Sequence, residues 1–285
     1  MSDKKRISSK WLSASLYGHF NLWAHSLRTI LMANFILLMN YMLTRSYESG
    51  VTMRQWEVHL GETLFAYLDS GFNLTVTSIA LLVMMSELPK RVSYQNYTLM
   101  RLSRRRWLVS QIIFCTGMVL IFIMLMIVLS TLFSLTFVTP GDGWSDLERL
   151  AKAPKYVDEY QYVAAYIRIL TPFTACVLAA VILFFFWLTM AFLILLFSLC
   201  GIPNFGVVFC VSLLLLHITL LFESLPRMKL PVQFATLSAV ASQVQEHKFR
   251  FIALVIAGYI VGDALLIKLM DVRIQHMDIQ FSGKE

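Results

Sequence analysis

Asp263 stands inside a solidly apolar run, residues 251–270, in the setting Gly262-Asp263-Ala264, with Lys268 five residues later. A carboxyl at that depth marks a polar point on a translocation route or a proton site. The reading favoured here is a buried hydrogen bond to a neighbouring helix, or a pair with a basic residue near the helix end, since a single acid is thin support for proton coupling. Asn34 and Asn40 in a first apolar run, and Asp69 and Asn73 entering a second, pose the same choice. They line an aqueous cavity or join helices through hydrogen bonds. Together with Asp263 they form the candidate translocation path. An enzyme embedded in the membrane would have to draw its acid from Asp263 or Asp69.

No other chemistry is advertised. There is no G-x-x-x-x-G-K-[ST] run to cradle nucleotide phosphates, and no H-E-x-x-H to hold zinc. No G-x-S-x-G presents a nucleophile. His19, His25, His59, His217, His247 and His276 are scattered, and the four cysteines have no metal-ligand spacing. The expectation is therefore a non-enzyme with no cofactor, no metal and no nucleic-acid partner. Cys115, Cys176, Cys200 and Cys210 all fall in or at the ends of apolar runs, where they read as small hydrophobes rather than disulfides.

The elements that must position these residues are membrane helices. Hydrophobic residues make up 58% of the chain and charged ones 14%. With a mean hydropathy of +0.68, that is far from a soluble domain, in which about a quarter of residues are charged. Backbone groups in lipid must be satisfied within the chain, so solid apolar runs are helices rather than open sheets. The reading is an all-α polytopic membrane protein with six spans, at about 27–43, 64–86, 107–137, 169–199, 207–222 and 251–270. Residues 1–28 form an amphipathic interfacial helix with the apolar stripe Leu12, Leu16, Phe20, Trp23 and Leu27. Residues 29–285 form the transmembrane domain. Cys200-Gly201-Ile202-Pro203-Asn204-Phe205-Gly206 reads as a tight turn broken by glycine and proline. The outer loops are 138–166, with a turn at Pro140-Gly141-Asp142-Gly143 and a surface helix at 145–151, and 223–250, which could dip into the membrane and return.

Charge sets the orientation. Segments 1–28, 87–107, the turn and the tail from Lys268 hold 14 Lys/Arg and 5 Asp/Glu; the opposite segments hold 10 and 11. Basic short loops stay cytoplasmic, which gives an N-in, C-in topology. It also accounts for the pI near 9.3 without nucleic acid. Membrane lipids are the expected surroundings, and Arg104-Arg105-Arg106 beside Trp107 is an anchor compatible with anionic headgroups.

The segment 87–107 carries six Lys/Arg against one Glu, with a span on each side. After the Pro89 break, residues 93–101 can form a short surface helix with Tyr94, Tyr97 and Met100 along one side. An acidic residue, Glu87, closes the second span, and Tyr97-Thr98-Leu99-Met100-Arg101-Leu102-Ser103-Arg104-Arg105-Arg106-Trp107 opens the third. This resembles the membrane subunits of ABC-2-type ABC transporters, in motif over about twenty residues and in layout over most of the chain. The resemblance implies a permease subunit of an exporter in a bacterial plasma membrane, moving a peptide, antibiotic or lipid-like compound. It implies two partners: a second permease subunit, identical or related, and a separate cytoplasmic ABC ATPase. Glu87, Tyr94, Tyr97, Met100 and Arg101 are the implied ATPase-coupling residues, and aromatic anchors of this kind dominate interface energetics. The alternative is a non-transporting immunity or sensory protein that binds a ligand with its outer loops.

Overall fold

The computed structural model of the chain describes residues 13, 16–54, 57–86, 88, 104–141, 143–144, 170–222 and 248–276. Among them every regular element is a helix: α1 (Leu27–Arg54), α2 (Leu60–Asp69), α3 (Gly71–Met85), α4 (Arg104–Ser134), α5 (Pro172–Leu199), α6 (Pro203–Phe222) and α7 (Lys248–His276), preceded by a helical stretch at 16–24. Four of them contain stretches long and apolar enough to cross a membrane: Leu27–Ser49, Arg104–Ser134, Pro172–Leu199 and Ile252–His276. The chain is a multi-pass membrane protein. The 145–151 helix and the 223–247 part of the last loop lie outside the described residues.

The expected second span is not one continuous helix. α2 and α3 meet at a bend of 64°. Ser70 is extended (φ −69°, ψ 119°) and serves both as the C-cap of α2 and the N-cap of α3, its hydroxyl accepting from the Asn73 N–H at 3.4 Å. The amide of Asn73 donates back across the break to the Tyr67 carbonyl at 2.9 Å. A serine and an asparagine thus repair the hydrogen bonds that the bend removes, which is the condition for breaking a helix inside a membrane.

The fifth expected span, α6, is among the shorter apolar helices over Pro203–Leu215. α1 runs beyond the expected end at residue 43 because polar residues stay within its own turns. The Thr44 hydroxyl donates to Asn40 O at 2.8 Å, and Arg45 pairs with Glu48 while its guanidinium lies over the Tyr41 ring.

α5 is the centre. It packs against α2, α3, α4, α6 and α7, and its buried residues include Cys176, Ile182, Phe186, Trp187, Ala191 and Leu195. Trp187 is fully enclosed; its indole N–H donates to Ser78 Oγ of α3 at 2.7 Å, and its ring meets Phe122 of α4 edge-on at 5.0 Å. By contrast α1 and α7 leave most of their apolar residues on the outside, as helices facing lipid do.

The α5–α6 turn has a defined chemistry. Thr171 caps α5, with Pro172 at its first position. At the other end Gly201 adopts φ +88°, the Gly201 N–H bonds Ser198 O at 3.0 Å, and the Ile202 N–H bonds Phe197 O at 3.1 Å. That is the Schellman closure, which favours a residue without Cβ at the left-handed position. Pro203 then starts α6 rather than breaking it. Gly206 sits within α6 where a Cβ would come 2.9 Å from Phe197 Cβ and 3.2 Å from Ile194 Cα, so it permits close approach of the two helices. Of the four cysteines, Cys115, Cys176 and Cys210 are buried and Cys200 is exposed; all are free.

Three residues of the amphipathic stripe, Leu16, Phe20 and Trp23, pack on protein, whereas Leu27 is exposed. Phe20 meets Phe114 of α4 edge-on at 5.0 Å, and Leu16 and Trp23 pack against the core. His19, between the stripe residues, is buried and lies 3.0 Å from Gln111 Nε2.

Gly206→Val forces α5 and α6 apart and lowers stability by about 1–3 kcal/mol. Gly258→Ala, where a Cβ meets nothing within 4 Å, is neutral or stabilising by up to about 1 kcal/mol. Thermal unfolding of both variants in the same detergent is the measurement.

Candidate functional site

Contacts sort the helix ends into two groups. At one end the Arg28 guanidinium, beside the start of α1, donates to Ser86 Oγ after α3 at 3.3 Å. At the same end the start of α4 meets the finish of α7. Arg105 Nε and Nη2 grip the Asp271 carboxylate at 2.9 and 2.8 Å, and Arg104 donates to the Gln275 carbonyl at 3.0 Å. Gln275 in turn donates to Asp271 Oδ2 at 3.2 Å. Planar guanidinium against carboxylate is the two-point geometry that only arginine offers. Arg104 also puts positive charge on a C-terminal carbonyl, where the helix dipole favours it.

The opposite end is closed by backbone groups. The Thr139 N–H, after α4, donates to Val58 O at 3.0 Å, next to the bridge between His59 and Thr139. The His59 ring Nδ1–H donates to Gly143 O at 2.6 Å, and the indole of Trp144 donates to Leu170 O at 2.7 Å. The His59 N–H is itself capped by Glu62 at 3.0 Å. The pair α2–α3 therefore begins at this loop end and finishes at the arginine end.

Glu87, Tyr94, Tyr97, Met100 and Arg101 lie outside the described residues. What is described is their frame. α3 closes at Met85, Leu88 is buried and its N–H bonds Met85 O at 3.0 Å, and α4 opens at Arg104. Both flanks are tied at the arginine end, to α1 and to α7 respectively.

The polar residues of the candidate path occupy different settings. Asn34 is exposed on α1 and donates to Ile30 O at 2.8 Å. Asn40 is buried and donates to Ile36 O at 3.0 Å. Asn73 is buried in the α2–α3 repair described above, and Asp69 is half-buried at the end of α2. Asp263 is 5% exposed and lies 2.7 Å from the hydroxyl of Thr189 on α5. For Asp263 the neighbouring-helix hydrogen bond is thus present, while Lys268 points to the exposed side. Among the described residues no group of three His, Cys, Asp or Glu could hold a metal ion.

Sequence reasoning did not single out Asp271, Gln275, Thr189, Ser78 or Gln111. Asp271 had a signal: an acid one turn past Lys268, next to a basic loop that needs a counter-charge. The others carried none, because a threonine, serine or glutamine in an apolar helix reads alike whether it faces lipid or a partner. Searches against protein-family models, characterised proteins and solved structures give no match to the chain.

Arg105→Glu and Asp271→Lys each lower the thermal midpoint of the purified protein, and the double variant recovers most of the loss. The single-variant losses shrink at high salt, since the exposed pair is screened. Equal, additive losses in a double-mutant cycle contradict a direct pair.

Proposed function

We propose that the chain is the permease subunit of an ATP-binding cassette exporter, energised by a separate ATPase and working as a homo- or heterodimer with a second permease subunit. The observation that carries this reading is the anchoring of both flanks of segment 87–103 at one end of the bundle. A force applied there reaches α1 through Arg28 and Ser86, and α7 through Arg105 and Asp271. The basic segment with aromatics Tyr94 and Tyr97, between Glu87 and Trp107, is the chemistry an ATPase groove would hold.

The reading includes six crossings. The bent α2–α3 pair counts as one and α6 as another, with both termini and the arginine end cytoplasmic, in a bacterial plasma membrane. The antiparallel order supports it: α4 starts where α7 finishes, and α2 starts where α4 finishes. The cargo is a peptide, antibiotic or lipid-like compound, recognised within the membrane domain.

The test is affinity purification of the tagged chain from its native membrane. An ABC ATPase should accompany the wild type, and the triple variant Tyr94→Asp, Tyr97→Asp, Met100→Asp should lose it while still reaching the membrane. A wild-type complex without any such ATPase ends the proposal. Orientation is read separately on a cysteine-free background. An impermeant maleimide should label Gly143→Cys in intact cells, and Gln275→Cys only after permeabilisation; the reverse pattern places the basic segment outside.

A further inference from the structure

The hydroxyl of Thr189 stands between two oxygens. Thr189 Oγ1 is 2.9 Å from the Phe185 carbonyl, one turn back on α5, and 2.7 Å from Asp263 Oδ1 on α7. Both are hydrogen-bonding distances, yet a threonine hydroxyl owns a single hydrogen. The Phe185 carbonyl can only accept. If Thr189 gives its hydrogen to Phe185, the back-bond that hydroxyls make inside helices, then a hydrogen between Thr189 and Asp263 has to come from the carboxyl. If Thr189 gives it to an ionised Asp263, the hydroxyl faces the Phe185 oxygen with nothing between them.

The surroundings favour the first arrangement. An ionised carboxylate removed from water needs a positive partner. α7 packs on α5 and α4. α5 carries no charged residue along Pro172–Leu199, and the titratable group it brings is the thiol of Cys176. α4 is charged only at Arg104, Arg105 and Arg106, two of which are engaged with the end of α7, and its remaining titratable group is Cys115. On α7 itself Lys268 is exposed, and Tyr259, one turn before Asp263, has a buried hydroxyl with no partner among the described residues. Asp263 Oδ2 is likewise buried and has no partner among the described residues. As the carbonyl oxygen of a neutral acid this is a mild deficit; as half of a carboxylate it is a severe one.

We propose that Asp263 is a proton-binding site at the α5–α7 seam. The carboxyl carries a proton on Oδ1 and donates it to Thr189 Oγ1, which donates its own hydrogen to Phe185 O. Each oxygen in the chain then has the role its hydrogens allow. The proton leaves only when the seam opens to water, so proton occupancy and contact between α5 and α7 are linked. None of this depends on the exporter reading.

Infrared difference spectroscopy of the full chain in lipid vesicles at neutral pH tests it, comparing wild type with Asp263→Asn. The wild type should show the carbonyl absorption of a protonated carboxylic acid that the variant lacks, with carboxylate bands unchanged. Thr189→Val should shift that absorption without abolishing it. A difference confined to carboxylate bands overturns the proposal. Should Asp263→Asn fail to fold, dicyclohexylcarbodiimide, which modifies protonated carboxyls in apolar surroundings, is applied to the wild type. An adduct on the Asp263 peptide is expected, and an unmodified Asp263 overturns the assignment.

Discussion

A helix with lipid on one side has nowhere to send an unpaired polar group except to another part of its own chain. That constraint organises the places where this bundle departs from straight apolar rods. The break between α2 and α3 survives because Ser70 and Asn73 take up the freed N–H and carbonyl groups. Trp187, enclosed at the heart of α5, keeps its indole N–H satisfied by Ser78 across the seam. Asp263 reaches Thr189 for the same reason. In each case a polar side chain fixes the rotation and depth of one helix against another, which apolar packing alone does loosely. α5 takes part in two of the three, and it is the helix the others surround.

The long apolar runs were legible because the hydrocarbon core demands about twenty consecutive apolar residues and nothing subtle. The third and fourth spans came out within three residues of α4 and α5, and the sixth matches α7 except that α7 runs six residues further, to His276. Errors arose where a residue type has two uses. Ser70 and Gly71 look unremarkable inside an apolar window, yet they host a 64° bend. The turn expected at 200–206 is present, closed at Gly201, but it is shorter than expected: Pro203 already opens α6, and Gly206 lies within it and lets it approach α5. Thr44, Arg45 and Glu48 depress hydropathy without ending α1, because their bonds are made within the helix. Of the candidate site, Asp263 was legible as a buried polar point, since charge in an apolar run is conspicuous. Its partner was not, since threonine is common in membrane helices and only the register between α5 and α7 brings Thr189 to it.

The two ends of the bundle are held by different physics. The loop end is closed by short contacts to backbone carbonyls, those of Val58, Gly143 and Leu170. Such contacts tolerate little displacement, because a hydrogen bond weakens steeply once distance or angle is lost. The arginine end is held by long side chains, with Arg105 and Arg104 reaching from α4 to the last turns of α7 and Arg28 reaching Ser86. Long flexible chains can follow a partner through several ångströms, and exposed ion pairs cost little to part. α4 has both kinds of tie, through Thr139 beyond its finish and through Arg104 and Arg105 at its start. The arginine end is where segment 87–103 attaches, so a displacement of that segment acts first on the end held by the long side chains.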